Sequence, residues 1–365
     1  MNRTTLIIDG NWLLMSRLGV MGSMFDKKLP KEDLERAKHD IIDFIAQSIN
    51  KAINFWYPII DNIIMVQDGG SWRKTIDKPD AFTEEYKGNR SHTSEISWDY
   101  VWDALKIICG IFHENNITCI SEHNIEGDDW CWYWSRFLNH GGVNCIIWSS
   151  DADLKQLVQR TSEAWTIWYN DKAGLFLPES LQYDDMDILL NYESVDPIME
   201  DISKKHIKTN YISPDDIVME KVICGDAGDN IKSVATIEKI TKTGKSQVIK
   251  VSPKEWISIK KQLHINNIED FKNNKQNIIR YISKLTRFKD SNIDLKNISD
   301  MFDYNMILVR LDKESIPKEY QMLMNKHKDE YKIADLDYIR NNYKVLSKPQ
   351  SSIEQMFLDF PESFV

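Results

Sequence analysis

Apolar and polar positions along this chain switch repeatedly between two periods. TTLIID (Thr4–Asp9) is an unbroken β-branched and apolar run closing on an acid, which predicts a buried strand. Residues 31–56, KEDLERAKHDIIDFIAQSINKAINFW, carry apolar residues at every third or fourth position and predict an amphipathic helix. NIIMVQD (62–68) reads as a second strand, residues 98–112 as another helix and ITCISE (117–122) as a third strand. EGDDWCWYWSRFL (126–138) opens a helix, VNCIIWSSDAD (143–153) is a fourth strand, and AWTIWYNDKAGLFLP (164–178) a hairpin turning at Asn170 to Gly174. Trp130, Trp134, Phe137 and Leu138 recur at helical spacing, which predicts buried packing rather than a platform for stacked bases.

Strands alternating with helices imply right-handed crossovers, and hence an α/β fold with a mostly parallel sheet. Functional groups in such sheets gather at the carboxyl ends of the strands. Asp9, Asp68, Asp151 and Asp153 all fall there, and Glu126, Asp128 and Asp129 stand at the start of the helix after the third strand.

Taken singly, each of these acids is an ordinary cap or turn residue, and GDAGDN (225–230) is ordinary turn chemistry. Taken together, carboxylates converging on one sheet edge repel one another and take up protons unless cations offset them. The candidates are all oxygen donors, so a hard ion is favoured: Mg²⁺, with Mn²⁺ as a substitute. Two such ions activate a water and stabilise the leaving oxygen of a phosphodiester.

Composition sharpens the picture in two places. The net charge of −10 hides an uneven distribution, because residues 232–290 hold 14 Lys or Arg against 5 Asp or Glu. A basic stripe beside an acidic body suits an enzyme acting on phosphodiesters, and equally a solvated helical surface. The five cysteines, Cys109, Cys119, Cys131, Cys145 and Cys224, include no CxxC pair and give neither a disulfide framework nor a zinc cluster. With no apolar run of membrane-spanning length and no signal peptide, a cytoplasmic location is expected.

The ordered motifs IIDGN, VQDGGSWR, YKGNR, EGDD, SSDADLKQL and GDAGDN resemble the flap endonuclease and 5′ nuclease superfamily, which shares a PIN-like fold. Within it they are most similar to the ribonuclease H enzymes of T-even-type bacteriophages, 5′ to 3′ exonucleases and flap endonucleases that remove RNA primers during DNA replication. SWDYVWDALKIICGIF and YNMILVRLDKESIP extend the likeness over about residues 4–320.

The resemblance implies a catalytic domain over 1–230 with an arch at about 69–100, a smaller, mainly helical DNA-binding domain over 231–346, and a linker and tail over 347–365. It implies that Asp9, Asp68, Asp128 and Asp151 serve mainly the ion that activates water. Asp153, Asp226 and Asp229 would serve the other, with Glu126 between them. Asp129 matches a third acid in some relatives and reads equally as a helix-start acid. Lys87 and Arg90 would contact the scissile phosphate and Arg73 would be a neighbouring basic contact, while Tyr86 would stack on a base or simply pack.

The segment after GDAGDN, IKSVATIEKITKTGKSQVIK, lacks the repeated glycines of a helix-hairpin-helix. Lys239, Lys242 and Lys245 remain as phosphate neutralisers, whereas a potassium site is doubtful. In the tail, Gln350, Ile353, Met356 and Phe357 have the spacing of a sliding-clamp docking peptide, with a bland capping helix as the rival. The implied partners are DNA and RNA:DNA with 5′ single-stranded ends, flaps or forks, a sliding clamp and a single-strand-binding protein. A monomer in the host cytoplasm, with no membrane, is the accompanying expectation. Two other functions compete with this reading. A haloacid-dehalogenase-like phosphatase needs a second Asp two residues after the first, where this chain has Asn11. A non-catalytic scaffold for forked DNA has no need of the full acidic set.

Overall fold

The run Thr4–Asp9 forms β1, buried at every position, with β2 (Asn62–Val66) and β4 (Asn144–Trp148) paired in parallel on its two sides. A central parallel strand is covered on both faces, so it is apolar throughout rather than alternating. The computed structural model describes residues 3–57, 59–79, 85–89, 95–178, 209–240, 245–288 and 294–347. The calls on Arg90, Lys242, Gln350, Ile353, Met356 and Phe357 lie outside them.

Two compact units divide the chain. The first takes in residues 1–71, 92–212 and 318–365, the second residues 72–91 and 213–317. The second unit therefore begins ahead of residue 231, includes a piece of the expected arch, and does not extend to residue 346.

In the first unit the sheet order is β3-β2-β1-β4-β6-β7-β8, where β3 is Thr118–Ile120, β6 Trp165–Asn170, β7 Gly174–Pro178 and β8 Thr209–Ile212; β5 (Gln159–Arg160) pairs with β6. The β6–β7 hairpin closes with Asn170 opposite Gly174, as the sequence predicts. It is antiparallel, while β1 to β4 and β6 run in one direction. Register fixes the functional edge: Asp9 pairs with Val66, and Ile8 pairs with Trp148. Asp68 and Asp151 follow within a few residues of those strand ends.

Four helices precede or follow these strands: α1 (Gly10–Met21), α2 (Lys31–Trp56), α3 (Trp98–Glu114) and α4 (Gly127–His140). Helix α2 buries Leu34, Ile41, Ile42, Ile45, Ile49, Ile53 and Trp56 along one face, each worth about 1.5–3 kcal/mol relative to exposure. In α4, Trp130, Trp134 and Leu138 are buried as expected, but Phe137 is 39% exposed. Residues 318–347 return to this unit: Tyr331 and His327 pack against Trp134 and Trp130, and Asn62 holds the carbonyl of Lys332 and the N–H of Ala334.

The second unit is mainly helical, built on α5 (Pro214–Cys224), α6 (Pro253–Gln262), α7 (Ile268–Asn273), α8 (Lys275–Ser283) and α9 (Leu295–Val309). Buried Asn305 of α9 donates to the carbonyls of Val222 and Lys232 at 2.8 and 2.9 Å, tying α9 to α5 and to the loop beyond it. One element departs from the helical expectation. Thr236–Ile240 and Ser246–Lys250 pair as an antiparallel ribbon, β9 and β10, with Ile237 opposite Ile249 and both packed on the unit's core. The run is rich in Ile, Val and Thr, and alternation at period two wins over the weak helical period.

Candidate active-site carboxylates

The first-unit acids are placed by the ends of three parallel strands and the start of α4. Asp9 is the last residue of β1 and the N-cap of α1, accepting the Trp12 N–H at Oδ1 (2.9 Å). Its other oxygen accepts Ser149 Oγ–H at 2.7 Å, and Ser149 Oγ in turn accepts the Asp151 N–H at 2.9 Å. Asp151 caps the short helical turn after β4 by accepting the Asp153 N–H at 2.8 Å.

Asp68, beyond β2, exchanges two 3.1 Å hydrogen bonds with Asn11 and accepts the Gly127 N–H at 2.5 Å. A Cβ on Gly127 would stand 3.0 Å from that Asp68 oxygen, so the approach depends on glycine. Glu126 is buried as the N-cap of α4, Asp128 is half-buried in its first turn, and Asp129 is fully buried with its carboxylate on the Glu126 N–H (3.4 Å). That contact is the helix-start arrangement.

The charges of these groups act on common buried neighbours. Burial, and then the charges of Asp68 and Asp151, raise the Asp9 carboxyl to about 7 even though Trp12 and Ser149 oppose the shift. Cys131 of α4 serves as a buried reporter: burial first, then the charges of Asp9, Asp128, Asp68 and Asp151, push its thiol well up. Four acids far apart in sequence thus act on one buried thiol. Among the described residues, no three Asp, Glu, His or Cys side chains already close on one point. Each of these carboxylates is held by protein donors, Asp68 by Asn11 and the Gly127 N–H and Asp9 by Ser149 and the Trp12 N–H. In donor type, an all-carboxylate edge fits a hard, oxygen-ligated ion.

In the second unit, Asp226 and Asp229 lie on a tight loop after α5, closed by reciprocal hydrogen bonds between Asp226 and Ile231. Gly225 makes it possible: its φ is 77°, and a Cβ there would meet backbone atoms of Ile231 and Ser233 at 2.5 Å. Burial would raise the Asp226 carboxyl, but Lys221, 2.5 Å away, and the Gly228 and Asp229 N–H groups bring it below its ordinary range.

Residues 85–89 dock on the same loop. The Lys87 N–H donates to Asp229 O at 2.9 Å, its ammonium stands 3.9 Å from the Asp229 carboxylate, and Asn89 donates to Ala227 O. Tyr86 is 4% exposed and donates its hydroxyl to Asp229, so the ring packs in the core rather than presenting a face to a base. Arg73 also departs from its expected role. It is 1% exposed, donates to the carbonyls of Leu308 and Arg310 and lies over Trp72, a structural guanidinium holding the chain after α9. Lys239 and Lys245 are exposed on the ribbon and at its turn.

The sequence reading puts Asp9, Asp68 and Asp151 at strand ends, where the structure has them, but does not single out Asn11 and Ser149, which hydrogen-bond them. Both lie inside motifs already singled out, IIDGN and SSDAD, where a short polar residue beside an acid was the available signal.

No protein-family model matches the chain. It is 26% identical over 234 residues to a 5′-3′ exonuclease of Mycoplasmopsis pulmonis (strain UAB CTIP), spanning 64% of this chain and 62% of that relative. Among solved structures it shares its fold with the 5′-exonuclease of T5 with bound divalent metal ions (zinc), at a TM-score of 0.50 and 16% identity, over 95% of this chain and 100% of that one. The bacteriophage T5 flap endonuclease in complex with DNA and metal ions aligns at a TM-score of 0.49 and 17% identity over the same shares. The shared fold is that of the T5 5′-exonuclease, and the sequence match spans less than two thirds of the length of the exonuclease relative. Among the described residues, no helix is long and apolar enough to cross a membrane.

Proposed function

We propose that this chain is a divalent-metal-dependent 5′ nuclease, an exonuclease and flap endonuclease that hydrolyses phosphodiesters at the 5′ ends, flaps and forks of DNA and of RNA:DNA. The observation that supports the reading is the placement of Asp9, Asp68 and Asp151 at or just beyond the ends of the adjacent parallel strands β1, β2 and β4, with Asp128 in the first turn of α4. Asp9, Asp68, Asp128 and Asp151 would hold the ion, Mg²⁺ by ligand type with Mn²⁺ as substitute. Glu126 and Asp153 flank them. When bound, divalent ions supply an activated water and offset charge on the phosphate.

The chain's own groups do the positioning. Ser149 fixes Asp9 relative to Asp151, and Asn11 with the Gly127 N–H fixes Asp68. Asp226 and Asp229 enter as ligands of a second ion, and Lys87 and Arg90 as contacts to the phosphate being cut, through the motif order alone. Lys239, Lys242 and Lys245 on the basic stripe neutralise the duplex backbone. Removal of RNA primers in replication, and a sliding clamp met by the tail at Gln350, Ile353, Met356 and Phe357, belong to the same reading.

The test is a 5′-labelled flap and an RNA-primed duplex incubated with Mg²⁺, comparing wild type with Asp151→Asn and Lys87→Ala. Asp151→Asn should lose cleavage and keep DNA binding. Equal cleavage by that variant would remove the reading.

A further inference from the structure

Two free thiols meet between α3 and β3, apart from the carboxylates. Cys109 of α3 is half-buried and Cys119 of β3 is buried. Their sulfurs are 2.8 Å apart, and the side-chain nitrogen of Gln67 stands 2.5 Å from Cys109 Sγ and 3.3 Å from Cys119 Sγ. A disulfide needs its sulfurs at about 2.05 Å, so closure from this arrangement takes a shift of under about 1 Å. Among the described residues, Cys131, Cys145 and Cys224 are buried, with no second cysteine as partner.

We propose that Cys109 and Cys119 are an oxidisable dithiol, a modification site that takes a peroxide as co-reactant and closes to a disulfide joining α3 to β3. The roles of the two sulfurs follow from access. Burial first, and then the neighbouring Cys109, hold the Cys119 thiol well above its ordinary range, so the half-exposed Cys109 meets the oxidant. The Cys109 thiol gives up its proton, its sulfur attacks one peroxide oxygen, the O–O bond breaks, and the leaving hydroxide takes that proton, giving a sulfenic acid and one water. The Cys119 sulfur then attacks the sulfenic sulfur, the S–O bond breaks, and hydroxide leaves with the Cys119 proton as a second water. Both sulfurs are oxidised by one electron each, and the peroxide is reduced to two waters. Gln67, which touches both sulfurs, directly precedes Asp68, so the modification lies one residue from a candidate ligand. The proposal does not depend on the nuclease reading.

The full chain is treated with hydrogen peroxide and its mass measured intact and after non-reducing digestion. The expected result is a loss of two hydrogens reversed by a phosphine reductant, and a cross-linked peptide pair carrying Cys109 and Cys119. Stable oxygen addition at Cys109 without that cross-link, or a cross-link between other cysteines, would overturn the proposal. In Cys119→Ser, dimedone should capture the Cys109 sulfenic acid in lasting amounts, while wild type labels only transiently. Equal, stable labelling of both proteins would also overturn it. Should the variant fail to fold, the wild-type masses decide alone.

Discussion

Asp9 and Ser149, far apart in sequence, are joined by a 2.7 Å hydrogen bond, and the same buried hydroxyl accepts the Asp151 N–H at 2.9 Å. One oxygen therefore sets the position of two acid-bearing loops. Ser149→Ala removes both bonds and leaves a buried carboxylate short of a donor, at a cost of about 1–3 kcal/mol. The urea midpoint should fall accordingly, and flap cleavage should fall about tenfold through misplacement of Asp9. Wild-type values for both would show that Ser149 positions nothing.

At Asp9, burial and neighbouring charge both oppose ionisation. Its carboxyl is raised from an ordinary value of 3.8 to about 7 by burial and by the charges of Asp68 and Asp151. The folded state therefore binds the proton more tightly than the unfolded chain. That contribution is complete below about pH 4 and is lost as pH rises toward 7. In chelator, wild type should lose melting temperature across that window relative to Asp9→Asn. At pH 8 the Asn variant should be more stable by roughly 1–3 kcal/mol, since Asn keeps the cap without the charge. Added Mg²⁺ should reverse the order. An Asn variant no more stable than wild type in chelator would contradict the charged-cluster account.

At Asp226 the sign is the other way. Burial raises this carboxyl, Lys221 together with the Gly228 and Asp229 N–H groups outweighs it, and the net value lies below 3.8. Its contribution is present above the ordinary value and is lost as pH falls through the folded one. Lys221→Met should shift the acid-denaturation midpoint to higher pH, read by circular dichroism. An unmoved midpoint would mean the ion pair adds nothing, as many exposed pairs do.

Lys239 and Lys245 are exposed on a ribbon rather than on helices. If each neutralises a phosphate, Lys239→Ala with Lys245→Ala should reduce the slope of log K against log salt for a duplex by about 0.9 per residue. Fluorescence anisotropy at several salt concentrations measures it. An unchanged slope would take the ribbon out of the DNA-binding surface.

Much of this was legible in the sequence, for reasons the coordinates make plain. Thr4–Asp9 and Lys31–Trp56 have unambiguous periods and fold at the expected bounds. The strand-end acids were found because a parallel sheet delivers its strand ends to one edge. For Tyr86 the packing alternative is the one the structure has, and Arg73 is buried rather than presented as a basic contact, because tertiary contacts with Asp229, Leu308 and Arg310 hold them. The ribbon at residues 236–250 was hidden by lysines that blur the alternation of Ile237, Val248 and Ile249. The return of residues 318–347 to the first unit depends on side chains such as Asn62 pairing with distant backbone, which no local pattern encodes.

The claim that distant acids share one ion-binding edge is tested most directly by titrating the full chain with Mn²⁺ and following free Mn²⁺ by electron paramagnetic resonance. Wild type should deplete the free signal, Asp9→Asn and Asp151→Asn should each bind several-fold more weakly, and Mg²⁺ should compete. Binding by both variants indistinguishable from wild type would contradict it.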